Sequence, residues 1–200
     1  MNSGLEALMP FIIAAYVMWV TPGPNNMMLT YSGLRFGVIA SMPHILGILA
    51  GTWLLNTAGI VVLQPVVAEW PAFLMVVKVI GTIWLVRIGW RMASASGIGE
   101  SIGQDRPMGF VAALLFQFAN PKAITAALAL TSLILVAAEK QPYLLPVAIL
   151  LIPIISFFAN SPWAFAGQGL RRFVSSPSRW RVFAVVTGGL TTLCAVFLWM

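Results

Sequence analysis

Acidic side chains are nearly missing from this chain: Asp and Glu number five in 200 residues, and charged residues of both signs make up 8%. A soluble domain carries about 25% charged residues, so this composition cannot build an ordinary water-facing surface. Cysteine occurs once, at Cys194, and histidine once, at His44, which excludes a disulfide framework and a cysteine metal site. HExxH, GxSxG and paired carboxylates are absent as well, so the parts of a hydrolase or metalloenzyme are missing and no cofactor is called for. Period-two alternation is also lacking, which argues against a β-barrel.

What is abundant is apolar: 60% of residues are hydrophobic and the mean hydropathy is +0.95. At about 20 residues per helical crossing, the length suits six helices joined by short turns. The expectation is an all-α integral membrane protein, with the lipid bilayer as its main partner. The apolar runs predict spans at 5–31, 38–63, 72–90, 108–138, 143–167 and 180–200. No Lys or Arg precedes the first run, so the first segment reads as retained rather than as a signal peptide. Arg35, Arg87, Arg91, Arg106, Arg171, Arg172, Arg179 and Arg181 supply eight of the eleven basic residues and cluster at the odd-numbered connections. That bias predicts those connections to be cytoplasmic and both termini to lie on the outer face. It also accounts for the net charge of +6 without a nucleic-acid partner. Gly47 and Gly51 form a small-xxx-small pair that lets a neighbouring helix approach, although glycine is common in membrane helices anyway.

The first span contains a run that a helix cannot accommodate. Thr21, Pro22, Gly23, Pro24, Asn25 and Asn26 place two prolines and a glycine in the middle of apolar sequence. Within a bilayer, irregular backbone is tolerated only when buried in protein or lining a polar cavity. Thr21 or Gly23 can cap a restarted helix with Pro24 at its first position, and such an N-terminus attracts a carboxylate. The fourth span is interrupted likewise at Asn120, Pro121 and Lys122. The linker 93–107 separates a half 1–92 from a half 108–200, each with three spans. An odd number of spans inverts one half against the other, and matching breaks in inverted halves point to a transporter site at their interface.

Lys122 lies in the first turn after its break, where a charged lysine costs about 2.5–3.5 kcal/mol on insertion scales. No carboxylate lies deep in any span. Its counter-ion is therefore either a substrate, or Lys122 reaches an interface or an end carboxylate such as Glu139. His44 can relay protons, or simply bond the backbone beside Pro43. Asn160, in Asn160-Ser161-Pro162-Trp163, adds a third polar interruption in span five, or a kink with its amide on the backbone. Asn56, Thr57 and Thr125 read as helix-to-helix bonds. Trp70, Trp84, Trp90, Trp180 and Trp199 read as interface anchors.

Several of these residues together resemble the LysE/RhtB family of amino-acid exporters across nearly the whole chain. They are Thr21-Pro22-Gly23-Pro24-Asn25, the series Gly33, Gly37, Gly47 and Gly51, Lys78-x-x-Gly81-x-x-Trp84-Leu85 with Gly89, Asn120-Pro121-Lys122-Ala123, and Trp163-Ala164 to Arg171-Arg172. Within that family, the first motif and Phe116-Gln117-Phe118-x-Asn120 most resemble the cysteine/O-acetylserine exporter type. The resemblance implies a transporter that exports amino acids or close derivatives from the cytoplasm by proton antiport and that can form a homodimer. The expected protein is a secondary transporter of the inner membrane for small neutral or polar amino acids, or derivatives such as cysteine, O-acetylserine, homoserine and threonine. Many relatives have Asp where this chain has Asn25. A cation or metal exporter on the same scaffold, or a non-transporting membrane subunit, are the rival readings. Substrate contacts are expected from residues 21–26, from Asn120, Pro121 and Lys122, and from Asn160.

Overall fold

The structure is a computed structural model and describes residues 4–60, 69–95, 106–174 and 176–196. Among them it is all-helical: α1 (Gly4–Val20), α2 (Pro24–Phe36), α3 (Met42–Ala58), α4 (Pro71–Ala93), α5 (Phe110–Ala119), α6 (Pro121–Lys140), α7 (Leu144–Leu170) and α8 (Pro177–Val196). Proline opens α2, α4, α6 and α8, where its missing N–H would have had no intrahelical partner. The first expected span is α1 plus α2, bent by 56°. The fourth is α5 plus α6, parted by Asn120 alone, whose backbone is extended (φ −98°, ψ 103°). Among the described residues two helices, α6 over Pro121–Glu139 and α7, are long and apolar enough to cross a membrane alone, and the bent pair makes a third crossing if it is one span. Most of the linker, the end of the second span at 61–63 and Trp199 lie outside the described residues.

Helix α2 is the least apolar helix and the most enclosed: Asn26, Thr30, Ser32 and Arg35 are all buried in it. Polar side chains at that depth need protein neighbours, and the other helices supply them. Several close crossings depend on glycine. A Cβ at Gly33 would fall on the Ala164 carbonyl, and one at Gly167 on the Thr30 carbonyl, so α2 and α7 meet backbone to backbone. Gly47 and Gly51 do form a packing pair: Cβ atoms there would strike Phe110 and Leu114 of α5. Gly89 of α4 and Gly188 of α8 face each other's carbonyls reciprocally. Large apolar side chains such as Leu150, Phe158 and Val182 point outward, more than 60% exposed, as lipid-facing positions do.

The three arginine-bearing connections meet at one end of the bundle. There Gln168 Oε1 accepts from the Val38 N–H (2.7 Å), and Arg181 donates to the Ala93 carbonyl (2.8 Å). Trp180 departs from the interface-anchor expectation. It is buried, donates its indole N–H to the Ala95 carbonyl (2.9 Å) and packs against Tyr31, whereas Trp70 and Trp90 are exposed. The structure also corrects the third interruption, because α7 runs unbroken through Pro153 and Pro162. Asn160 there donates to Ser156 O (2.9 Å) and Ser161 to Phe157 O (2.7 Å), which is the backbone-bonded alternative. Asn56 and Thr125 likewise bond carbonyls of their own helices, Thr52 and Pro121, rather than a neighbour.

Candidate functional site at the paired helix breaks

A helix that stops leaves its last carbonyls without intrahelical donors and with a partial negative charge. At the end of α1 these carbonyls are satisfied from three directions. Asn26 turns back from the start of α2, its Nδ2 lying 3.1, 3.2 and 2.9 Å from the carbonyl oxygens of Trp19, Val20 and Thr21. The Trp163 indole of α7 donates to Val20 O (3.2 Å). From the second break, the Lys122 ammonium donates to Thr21 O (2.6 Å), Thr21 Oγ1 (3.1 Å) and Pro22 O (3.4 Å).

The lysine that lacked a carboxylate therefore has the carbonyl end of a broken helix as its counter-charge. Glu139 is about 25 Å away along α6, at 1.5 Å per residue. Gly23 is what admits the lysine: a Cβ there would lie 2.8 Å from Lys122 Cδ and Nζ. Gly23, not Thr21, is the N-cap of α2. It is extended (φ −170°) and makes no side-chain cap bond, while Thr21 Oγ1 donates instead to Met18 O (3.0 Å). At the second break Asn120 does cap α6, accepting from the Lys122 N–H (3.2 Å), with Pro121 at the first helical position.

A second bond pair joins the same two breaks. Asn25 Nδ2 donates to Gln117 Oε1 (2.8 Å), and Gln117 Nε2 returns a bond to Asn25 Oδ1 (3.2 Å) while also reaching Ala113 O (2.9 Å). Gln117 is fully buried. Neither the apolar run nor the proline motif marks it as a contact. The available signal was a lone amide, three residues before the break, in a ten-residue helix that is otherwise apolar. Gly23, Asn25, Asn26, Gln117, Asn120, Lys122 and Asn160, together with Thr52 of α3, line a cavity of about 20 Å³. That is room for about one water molecule.

The structure thus gathers the predicted residues 21–26, 120–122 and 160 into one place, and adds Gln117, Thr52 and Trp163. His44 does not join them. It lies eight residues before Thr52 on α3, about 12 Å along the helix. It lines a separate cleft of about 510 Å³, open at the arginine-bearing end between α4 and the group α2, α3 and α5. Among the described residues neither ring nitrogen has a partner, which sets aside the backbone-bonded alternative. The tilted Trp84–Phe116 ring pair (centroids 5.7 Å apart) links a wall of that cleft to the residue beside Gln117. Among the described residues, no three His, Cys, Asp or Glu side chains gather as a metal site would need.

Residues 16–200 match the family model of the LysE type translocator. The chain is 27% identical to the cysteine/O-acetylserine efflux protein of Salmonella paratyphi A over 171 residues, covering 82% of this chain and 86% of that protein. The efflux protein of the same name from Escherichia coli O1:K1 is 28% identical over 180 residues (88% and 89%), and that from Shigella flexneri serotype 5b is 27% identical over 195 (94% and 97%). No solved structure matches the chain. A broken first helix tied to a broken later one, together with a family match over almost the full length, gives one conclusion: the chain belongs to the LysE type translocator family.

Proposed function

We propose that this protein is a secondary transporter of the inner membrane that exports small neutral or polar amino acids, or derivatives such as O-acetylserine, from the cytoplasm. The observation that carries the reading is the bonding of the two breaks to each other, Lys122 to Thr21 and Pro22, and Asn25 to Gln117. An ammonium held by carbonyls at the end of α1 is half of what a zwitterionic amino acid presents. Substrate takes the place of this internal pair: its ammonium occupies the Thr21 and Pro22 carbonyls, and its carboxylate meets the displaced Lys122 and the N–H groups that open α2 and α6. The names of the relatives support amino-acid export.

The mechanism is alternating access, with residues 1–92 and 108–200 as inverted three-helix repeats rocking about the breaks. The reciprocal Gly89–Gly188 crossing supports such a two-fold relation. The arginine-bearing end is cytoplasmic by charge bias, so both termini face outward. Proton antiport supplies the drive, with His44 as relay, and the protein works as a homodimer.

Counterflow in proteoliposomes preloaded with a panel of amino acids tests the transport reading without assuming a coupling ion. Exchange restricted to a few small amino acids is expected, and the double substitution Pro22→Ala, Pro24→Ala should abolish it by letting one helix run through. Silence across the panel from folded protein, or full exchange by the double variant, would refute the reading.

A further inference from the structure

The larger cleft carries chemistry that a neutral amino acid does not need. Arg35, Arg87, Arg91 and Arg106 all line it, and among the described residues lining it there is no carboxylate. Arg35 is buried, donates to the Tyr31 hydroxyl (2.8 Å) and stacks on Phe36, so its guanidinium is held in place. Gly109, the N-cap of α5 with no capping side chain, lies on the same wall. The first-turn N–H groups beyond it have no partners within the helix and add positive potential.

His44 gives an independent sign of a ligand. It is 1% exposed, lines the cleft, and has no hydrogen-bond partner on either ring nitrogen among the described residues. A buried polar group in that condition is costly unless a ligand entering the cleft comes within reach to bond it. The volume, about 510 Å³, falls in the range of small-molecule sites, about 300–1,000 Å³, and Ile80, Ile83 and Trp84 give it an apolar wall.

We propose that this cleft is a binding site for an anionic oxygen group, carboxylate or phosphate, attached to an apolar body. Guanidinium groups bind such oxygens in pairs, and a cleft of one sign concentrates anions at its mouth. The bound group reaches His44 at the inner end and the arginines at the outer end. Its source is either a soluble anion or the headgroup of an anionic lipid entering along α4. The site stands apart from the paired breaks, and it holds whether or not neutral amino acids are exported.

The test is binding to the purified full-length chain. Calorimetric titration in neutral detergent with succinate and with inorganic phosphate probes the soluble source. Thermal unfolding in nanodiscs of phosphatidylglycerol against phosphatidylcholine probes the lipid source. The pair R87Q, R91Q removes two exposed cleft arginines, and the pair R172Q, R179Q is the control at the same end outside the cleft. Saturable succinate or phosphate binding, weakened about tenfold or more by the cleft pair and unchanged by the control, supports the site with a soluble anion as ligand. Stabilisation only by phosphatidylglycerol, lost in the cleft pair alone, supports it with a lipid headgroup. No binding in either arm, or equal loss in both variant pairs, overturns it. Counterflow of neutral amino acids reads the other site, so its failure leaves this result standing.

Discussion

Lys122→Met separates the role of the ammonium from that of the side-chain stem. The native ammonium makes one short charged hydrogen bond to Thr21 O and weaker ones to Thr21 Oγ1 and Pro22 O. A charged hydrogen bond contributes about 1.5–3 kcal/mol, and a cation at a helix C-terminus adds about 0.3–1 kcal/mol. Against this, a lysine at membrane depth costs about 2.5–3.5 kcal/mol on insertion scales. The two sides nearly cancel, so K122M should shift unfolding free energy by less than about 1.5 kcal/mol in either direction. Transport should respond otherwise, because substrate carboxylate then meets no cation and the α1 carbonyls lose the group that hands them over. The expected result is a folded protein with counterflow reduced about a hundredfold or more, the loss of roughly 3 kcal/mol of charged bonding. Thermal unfolding and counterflow on one preparation give both numbers. Wild-type counterflow by K122M would refute the exchange of Lys122 for substrate, and loss of the fold would show that the ammonium is structural.

Two further substitutions test the packing and the second bond pair. Gly167→Ala should destabilise by about 1–3 kcal/mol, because its Cβ would land on the Thr30 carbonyl of the α2–α7 crossing. Gly169→Ala, with open space around it, should be neutral or stabilising by up to about 1 kcal/mol; equal melting shifts in the two variants would contradict the crossing. Asn25→Ala strands the buried Gln117 amide, so a double-mutant cycle with Gln117→Leu should show a coupling of about 0.5–3 kcal/mol. A coupling near zero would mean that the pair does not join the breaks.

The positions of the breaks are legible because proline and glycine act locally: Pro22, Gly23 and Pro24 crowded together, and Pro121 after a capping Asn120, disfavour helix in the residues before them and suit the start of a new one. The same holds for Asn120, whose cap bond reaches only two residues along the chain. What each break touches is a long-range property. The partner of Lys122 lies 101 residues away and is a backbone carbonyl, an atom every residue carries, so no residue type could advertise it. Gln117 met Asn25 across 92 residues for the same reason. Pro162 signals an interruption that α7 does not have, because proline inside a long, laterally supported helix need not end it. Trp180 reads as an interface anchor because aromatic residues near span ends usually are. Its indole is instead consumed by the Ala95 carbonyl, a contact between two arginine-bearing connections.

The two cavities differ in size about 25-fold, and that difference makes a prediction about conformational state. The wide cleft opens at the arginine-bearing end, while the space between the breaks holds about one water. A thiol reagent should therefore reach the cleft directly and the inter-break cavity only after a rearrangement. In a chain carrying Cys194→Ser, Ala112→Cys places a thiol on an exposed, cleft-lining position of α5, and Thr52→Cys places one in the small cavity. If the open arrangement of the breaks is a minor state at about 0.1–10% of molecules, Thr52→Cys should label about 10- to 1,000-fold more slowly than Ala112→Cys. A transported amino acid, by cycling the protein through that minor state, should speed labelling at Thr52→Cys and leave Ala112→Cys nearly unchanged. Equal rates at the two positions without substrate would mean that the space between the breaks is not occluded.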